Sequence, residues 1–140
     1  MKTDSKILIV DDIPKNIQMA MNILKDEGYK MFYAKSGEMA LKLTNEHDFD
    51  LILLDIMMPE MNGFEVCAKL KSDDKTKKIP IIFLSGKDSS SDIEQAYESG
   101  GIDYVVKPFI TIELITKANS YVRLKQLEDK FELLKENVNE

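Results

Sequence analysis

The sequence predicts an α/β fold in which a parallel sheet of five strands, in the spatial order 2-1-3-4-5, is doubly wound by helices. Three observations predict it. Short apolar runs and helical stretches alternate five times along 140 residues, the signature of a parallel sheet covered on both faces. The run Leu51-Ile52-Leu53-Leu54 is continuous rather than alternating, as in a strand buried on both sides. Right-handed crossovers leave few topologies for such a chain, and 2-1-3-4-5 is the common five-stranded one.

The elements follow in order. Lys6–Val10 reads as the first strand. Pro14–Glu27 reads as a helix, with Ile17, Ala20, Met21 and Leu24 at helical spacing, Pro14 in the first turn and Gly28 as the stop. Tyr29–Ala34 is the second strand, with Met31 and Tyr33 alternating against Lys30 and Phe32. Ser36 is placed to cap a second helix carrying Met39, Ala40 and Leu43. Leu51–Asp55 is the third strand, Phe64–Leu70 the third helix, and polar Ser72–Lys78 a loop. Ile79–Ser85 is the fourth strand. Ser91 and Glu94 form a capping box for a fourth helix that ends at Gly100-Gly101. Asp103–Lys107 is the fifth strand, and the final helix starts near Thr111.

Composition excludes several classes. The hydrophobic fraction of 44% and charged fraction of 31% are those of an ordinary soluble domain. A net charge of −6 argues against nucleic-acid binding by this chain alone. No apolar run approaches the ~20 residues of a membrane span, and the N-terminus does not read as a signal peptide. A single cysteine, Cys67, allows no internal disulfide, which fits a reducing compartment, the cytoplasm. Cys67 reads as core. The lone histidine, His47, falls in a polar helix-end loop and is expected to be exposed and inert.

Chemistry is expected at the carboxyl edge of the sheet, where open α/β proteins bind their ligands. The predicted strand order sets Asp11 and Asp12 beside Asp55, Ser85 next to Asp55, and Lys107 beyond it. Like-charged carboxylates at ~5 Å cost roughly 3 kcal/mol per pair at an effective dielectric of ~20. Raised pKa values or a bound cation relieve that cost, and hard oxygen donors suit Mg²⁺ or Mn²⁺. Carboxylates, a metal, a hydroxyl and a lysine together make a phosphoryl-transfer site, with Asp55 as nucleophile.

Asp11-Asp12, Asp55 with Met57-Met58-Pro59-Glu60-Met61-Asn62-Gly63, Ser85, Tyr104 and Lys107-Pro108-Phe109 stand in the order and spacing of a receiver domain of bacterial two-component response regulators. The chain resembles that CheY-like, flavodoxin-like superfamily over residues 6 to about 123. The resemblance implies a phosphorylation-dependent switch rather than a turnover enzyme. Asp55 would accept the phosphoryl group from a histidine kinase or phosphotransfer protein. Asp11, Asp12, Asp55 and the backbone carbonyl of Met57 would hold Mg²⁺ (or Mn²⁺). Ser85 and Lys107 would bind phosphoryl oxygens, Ser85 and Tyr104 would form the switch, and the Lys107–Pro108 bond would be cis. The readout would be a changed surface around the fourth helix, fifth strand and fifth helix. Met57 and Lys87, two places beyond Asp55 and Ser85, depart from the polar or acidic residues frequent there; Met57, which offers an attacking water no hydrogen bond, predicts slow self-dephosphorylation, and Lys87 carries no prediction.

Two other readings fit less well. A phosphohydrolase of the haloacid-dehalogenase type needs a second acid where Met57 stands. A flavodoxin-like cofactor binder needs a phosphate loop where the acidic Asp11-Asp12-Ile13-Pro14 stands.

The domain is expected to span 1–123, and 124–140 to form a C-terminal helical extension. Thr111 to Val138 contains no Gly or Pro, enough for a helix of roughly 42 Å. Leu124, Leu127, Phe131, Leu134 and Val138 make an a/d stripe, out of phase with Leu114, Ala118 and Tyr121 on the docked part. Three readings stay open: a homodimer through this helix, as a coiled-coil stalk toward an output domain; an amphipathic tail folded back on its own domain; or a frayed, disordered end. The helix running to Asn137-Val138-Asn139-Glu140 favours a fragment of a longer chain.

Overall fold

In a computed structural model, which describes residues 4–86 and 90–139, five parallel strands pair in the order β2-β1-β3-β4-β5. The elements are β1 (Lys6–Val10), α1 (Pro14–Leu24), β2 (Lys30–Ala34), α2 (Gly37–Glu46), β3 (Leu51–Asp55), α3 (Gly63–Lys71), β4 (Ile81–Ser85), α4 (Ser90–Glu98), β5 (Asp103–Val106) and α5 (Thr111–Asn139). Lys87, singled out above, lies outside the described residues, as do Met1–Thr3 of the N-terminal segment.

Successive strand residues point to opposite faces, so the continuous apolar runs feed two cores. Leu8, Val10, Ile52, Leu54, Ile81 and Phe83 pack against α2, α3 and α4 on one face. Ile7, Ile9, Leu51, Leu53, Ile82 and Leu84 pack against α1 and α5 on the other. Every residue of β3 and β4 is buried, which explains why these strands show no polar alternation. Cys67 is buried in the first core, its thiol donating to the Ser99 carbonyl at 3.3 Å.

Several local expectations are corrected. The first helix stops at Leu24 and tightens into a 3₁₀ turn over Lys25–Glu27, before Gly28 at φ 88°. Such a left-handed φ is cheap only for glycine. Because β2 is an edge strand, its alternation is not clean: Phe32 packs into one core, Met31 into the other, and Tyr33 is largely exposed. On α2, Met39 faces solvent while Thr44 is buried, its hydroxyl donating to the Leu41 carbonyl. Helix α4 starts at Ser90, so Ser91 lies within it rather than before it.

His47 is not a free surface residue. It is half-buried in an aromatic cluster, with its ring 4.6 Å from Phe32 and 6.0 Å from Phe49. The turn after α2 folds it over Phe32 in the middle of β2, a proximity that its polar neighbours in sequence conceal. On α5 the docked face is Leu114, Ala118 and Val122, all buried, with Tyr121 half-buried beside them. The helix continues without a break to Asn139.

Candidate functional site

Every strand but β2 delivers a polar or charged group to the carboxyl edge. Asp11 follows β1, with its backbone N–H donating to the Ala34 carbonyl at 3.1 Å and its Oδ1 accepting from the Ile13 N–H at 3.0 Å. These bonds pin the β1–α1 turn, and Pro14 then starts α1 where a missing N–H costs nothing. Asp55 ends β3 and Ser85 ends β4, each 3% exposed. Lys107 follows β5, its backbone N–H donating to the Ser85 carbonyl at 2.7 Å. The Lys107–Pro108 bond is cis.

The loop after Asp55 is held tightly. Gly63 N–H donates to the Ile56 carbonyl, and a Cβ at Gly63 would lie 2.2 Å from the Asp55 carbonyl oxygen. The start of α3 therefore presses directly on the end of β3, an approach open only to glycine. Asn62 and Glu65 form a reciprocal capping box at 3.0 and 3.1 Å. Glu60, at φ 69°, sits in the left-handed region inside the same loop, a conformation that a non-glycine residue adopts at some cost. The Asn-x-x-Glu spacing is legible in sequence; the close approach of Gly63 is not.

Asp11, Asp12 and Asp55 each offer an oxygen within 4.8 Å of the others. Lys107 Nζ lies 3.0 Å from Asp55 Oδ1 and 3.2 Å from Asp11 Oδ2. Burial pushes the Asp55 carboxyl up, to about 6, with Asp11 and Asp12 adding to the push and Lys107 opposing it. Burial acts to lower the Lys107 ammonium, but its ion pairs with Asp55 and Asp11 outweigh it and hold the group above the ordinary lysine range. Asp12 Oδ1 is buried with no hydrogen-bond partner among the described residues. A buried polar atom left unpaired is costly, so this oxygen has capacity for a ligand. Three hard carboxylate donors, one of them unsatisfied, fit a small divalent cation such as Mg²⁺ or Mn²⁺ rather than a soft metal.

The remaining candidates surround this cluster. The Met57 side chain is 75% exposed and offers the site no polar group. Tyr104 pairs with Phe83 across β4–β5 and is half-buried, its ring edge-on to Tyr97 at 6.4 Å. A network not foreseen from sequence ties it to α5. Lys117 Nζ donates to the Tyr104 carbonyl at 2.9 Å and lies 5.5 Å from its ring centre. Lys117 also pairs with Asp103, which accepts the Tyr121 hydroxyl at 2.9 Å. These residues are far apart in sequence and carry no joint motif.

The family described as "Response regulator receiver domain" matches residues 7–119. Among curated relatives, a "Probable cyclic di-GMP phosphodiesterase" of Vibrio cholerae is 41% identical over 131 residues, 94% of this chain and 29% of that protein. "Response regulator PleD" of Caulobacter vibrioides is 38% identical over 89% of this chain and 28% of its own length. The chain thus spans under a third of these two relatives. The solved structure of the chemotaxis protein CheY4 of Vibrio cholerae is 32% identical with a TM-score of 0.78, covering 85% of this chain and 98% of that one. No described helix is long and apolar enough to cross a membrane.

Proposed function

The chain belongs to the response regulator receiver domain family, and from that premise we propose that it is a phosphorylation-dependent signalling switch with Asp55 as the phosphoryl acceptor. The observation that carries the reading is the convergence of Asp11, Asp12, Asp55 and Lys107 at the end of the central strand, with Asp12 Oδ1 unpartnered among the described residues. An Asp55 carboxylate oxygen attacks the phosphorus of a phosphohistidine on a histidine kinase or phosphotransfer protein. The P–O bond forms as the P–N bond breaks, and the leaving imidazole takes a proton from solvent.

Asp11, Asp12, Asp55 and the Met57 carbonyl would hold Mg²⁺ or Mn²⁺, which when bound supplies charge neutralisation for the transferred group. Lys107 already sits 3.0 Å from the acceptor oxygen and balances negative charge there as it builds up. Ser85, at the end of the neighbouring strand, donates its hydroxyl to a phosphoryl oxygen. Tyr104 then follows Ser85 inward, and the Lys117–Asp103–Tyr121 network carries the change to α5. A partner or downstream output domain reads the altered surface of α4, β5 and α5. On this reading the chain is a cytoplasmic phosphoacceptor, not a turnover enzyme.

The test is intact mass after treatment with acetyl phosphate or phosphoramidate and Mg²⁺. One added phosphoryl group is expected, absent in Asp55→Asn. No adduct, under conditions that label a control receiver domain, would overturn the reading.

A further inference from the structure

Helix α5 carries an apolar stripe that its own domain leaves open. Leu124, Leu127, Phe131, Leu134 and Val138 are between 41% and 84% exposed. Because α5 is unbroken from Thr111 to Asn139, the direction of each side chain follows from about 100° of rotation per residue. On that basis the centre of the stripe lies roughly 160° around the helix from the centre of the buried Leu114–Ala118–Val122 face. Folding the stripe onto its own domain requires a turn, yet no Gly or Pro occurs between Thr111 and Val138. The domain reaches only one edge of the stripe: Leu124 borders a hollow shared with Pro80, Gly100, Gly101 and Ile102, and Lys78 lies near Leu127 and Phe131, its ammonium 4.0 Å from Glu132.

We propose that this stripe is the seam of a parallel, two-stranded coiled coil formed with a second copy of this chain. The stripe residues are spaced 3, 4, 3 and 4 apart, with Leu124, Phe131 and Val138 at a and Leu127 and Leu134 at d. Leucine at d with β-branched Val138 at a is compatible with a two-stranded parallel pair, while Leu124 and Phe131 at a do not select the number of strands. In that geometry each residue meets its own counterpart, so the stripe is its own complement and calls for no other protein. Arg123 at g faces Glu128 at e of the second copy with opposite charge. The next pair, Lys130 with Lys135, is like-charged, so the apolar seam rather than the flanking charges drives pairing.

The placement of the domains agrees. Carried back toward the domain, the stripe meets Ser120 and Lys117, which are polar, and the seam ends there. The centre of the buried Leu114–Ala118–Val122 face lies on the far side of α5 from the centre of the seam, so the bulk of each domain lies to the outside of the pair. About two heptads make a weak stalk, with a Kd on the order of 100 µM. The pairing concerns the unphosphorylated chain and does not depend on the role assigned to Asp55.

The test uses the full 140-residue chain. By sedimentation equilibrium, the weight-average mass should rise from one chain toward two between ~1 and ~500 µM. A Leu127→Glu, Leu134→Glu variant should stay at one throughout. In a Cys67→Ala background, Leu134→Cys should form a disulfide-linked dimer at least ~10-fold faster than Leu133→Cys, which faces away from the seam. A single-chain mass over the whole range would overturn the proposal and point instead to a heterologous partner for the stripe. A dimer indifferent to the two glutamates, or equal cross-linking at 133 and 134, would overturn it as well.

Discussion

Asp55 sits under opposing influences: burial and two neighbouring carboxylates disfavour its charge, while Lys107 favours it, and burial dominates. Its folded pKa of about 6 lies above the 3.8 of an ordinary aspartate, so the folded state binds this proton more tightly than the unfolded chain. The stability it contributes is fully present below about pH 4 and is lost as pH rises through about 6. The gap corresponds to ~3 kcal/mol. In chelator, Asp55→Asn is therefore expected to be ~1–3 kcal/mol more stable than wild type above pH 7, with the difference vanishing toward pH 4. Urea titrations at several pH values check it; equal stabilities at pH 8 would contradict it. Two residues on, Met57 is 75% exposed and gives an attacking water no hydrogen bond. If Asp55 carries the phosphoryl group, its acyl phosphate should persist, and Met57→Asn should shorten its lifetime ~10-fold, as followed by loss of the mass adduct in Mg²⁺ buffer.

At the scale of elements, the site depends on how closely α3 is seated against β3. Gly63 allows the contact, and a Cβ there would strike the Asp55 carbonyl oxygen at 2.2 Å. Backbone cannot yield as a flexible side chain does, so Gly63→Ala should displace the 56–62 loop. A loss of ~2–4 kcal/mol in denaturant unfolding is expected, together with weaker divalent-ion binding by calorimetry. Asn62→Ala, which removes only the cap, should cost ~1 kcal/mol. The Asn62–Gly63 pair reads in sequence as a loop signal. Its second role, admitting a helix to the end of the central strand, depends on a contact between elements that no local pattern encodes.

For the whole molecule, the two cores close without help from the tail. Among the described residues Val122 is the last buried one of α5; beyond it the contacts with the domain are peripheral, Gln126 with Ser5, Lys78 with Glu132, and a half-exposed Leu124 beside Pro80 and Ile102. A chain ending at Arg123 should therefore unfold within ~1 kcal/mol of the full chain at low concentration, where no second copy is bound. A larger loss would mean that the tail supports the domain directly.

The sequence by itself determined the order of elements, the parallel sheet and which polar residues close its strands, because these follow from local periodicity and from crossover handedness. Strand three was legible to its last residue, since an apolar run ending in Asp, then Pro and Asn-Gly, is a local signal. The tertiary structure alone decided how those residues share their charge. Lys107 meets Asp11 and Asp55 across 96 and 52 positions of chain, while Asp12 Oδ1 is left without a partner among the described residues. It also decided that His47 packs on Phe32 and that the stripe of α5 is left largely exposed by its own domain. Both depend on where one element lies against another, which is set by packing over the whole chain and not by the pattern within any one segment.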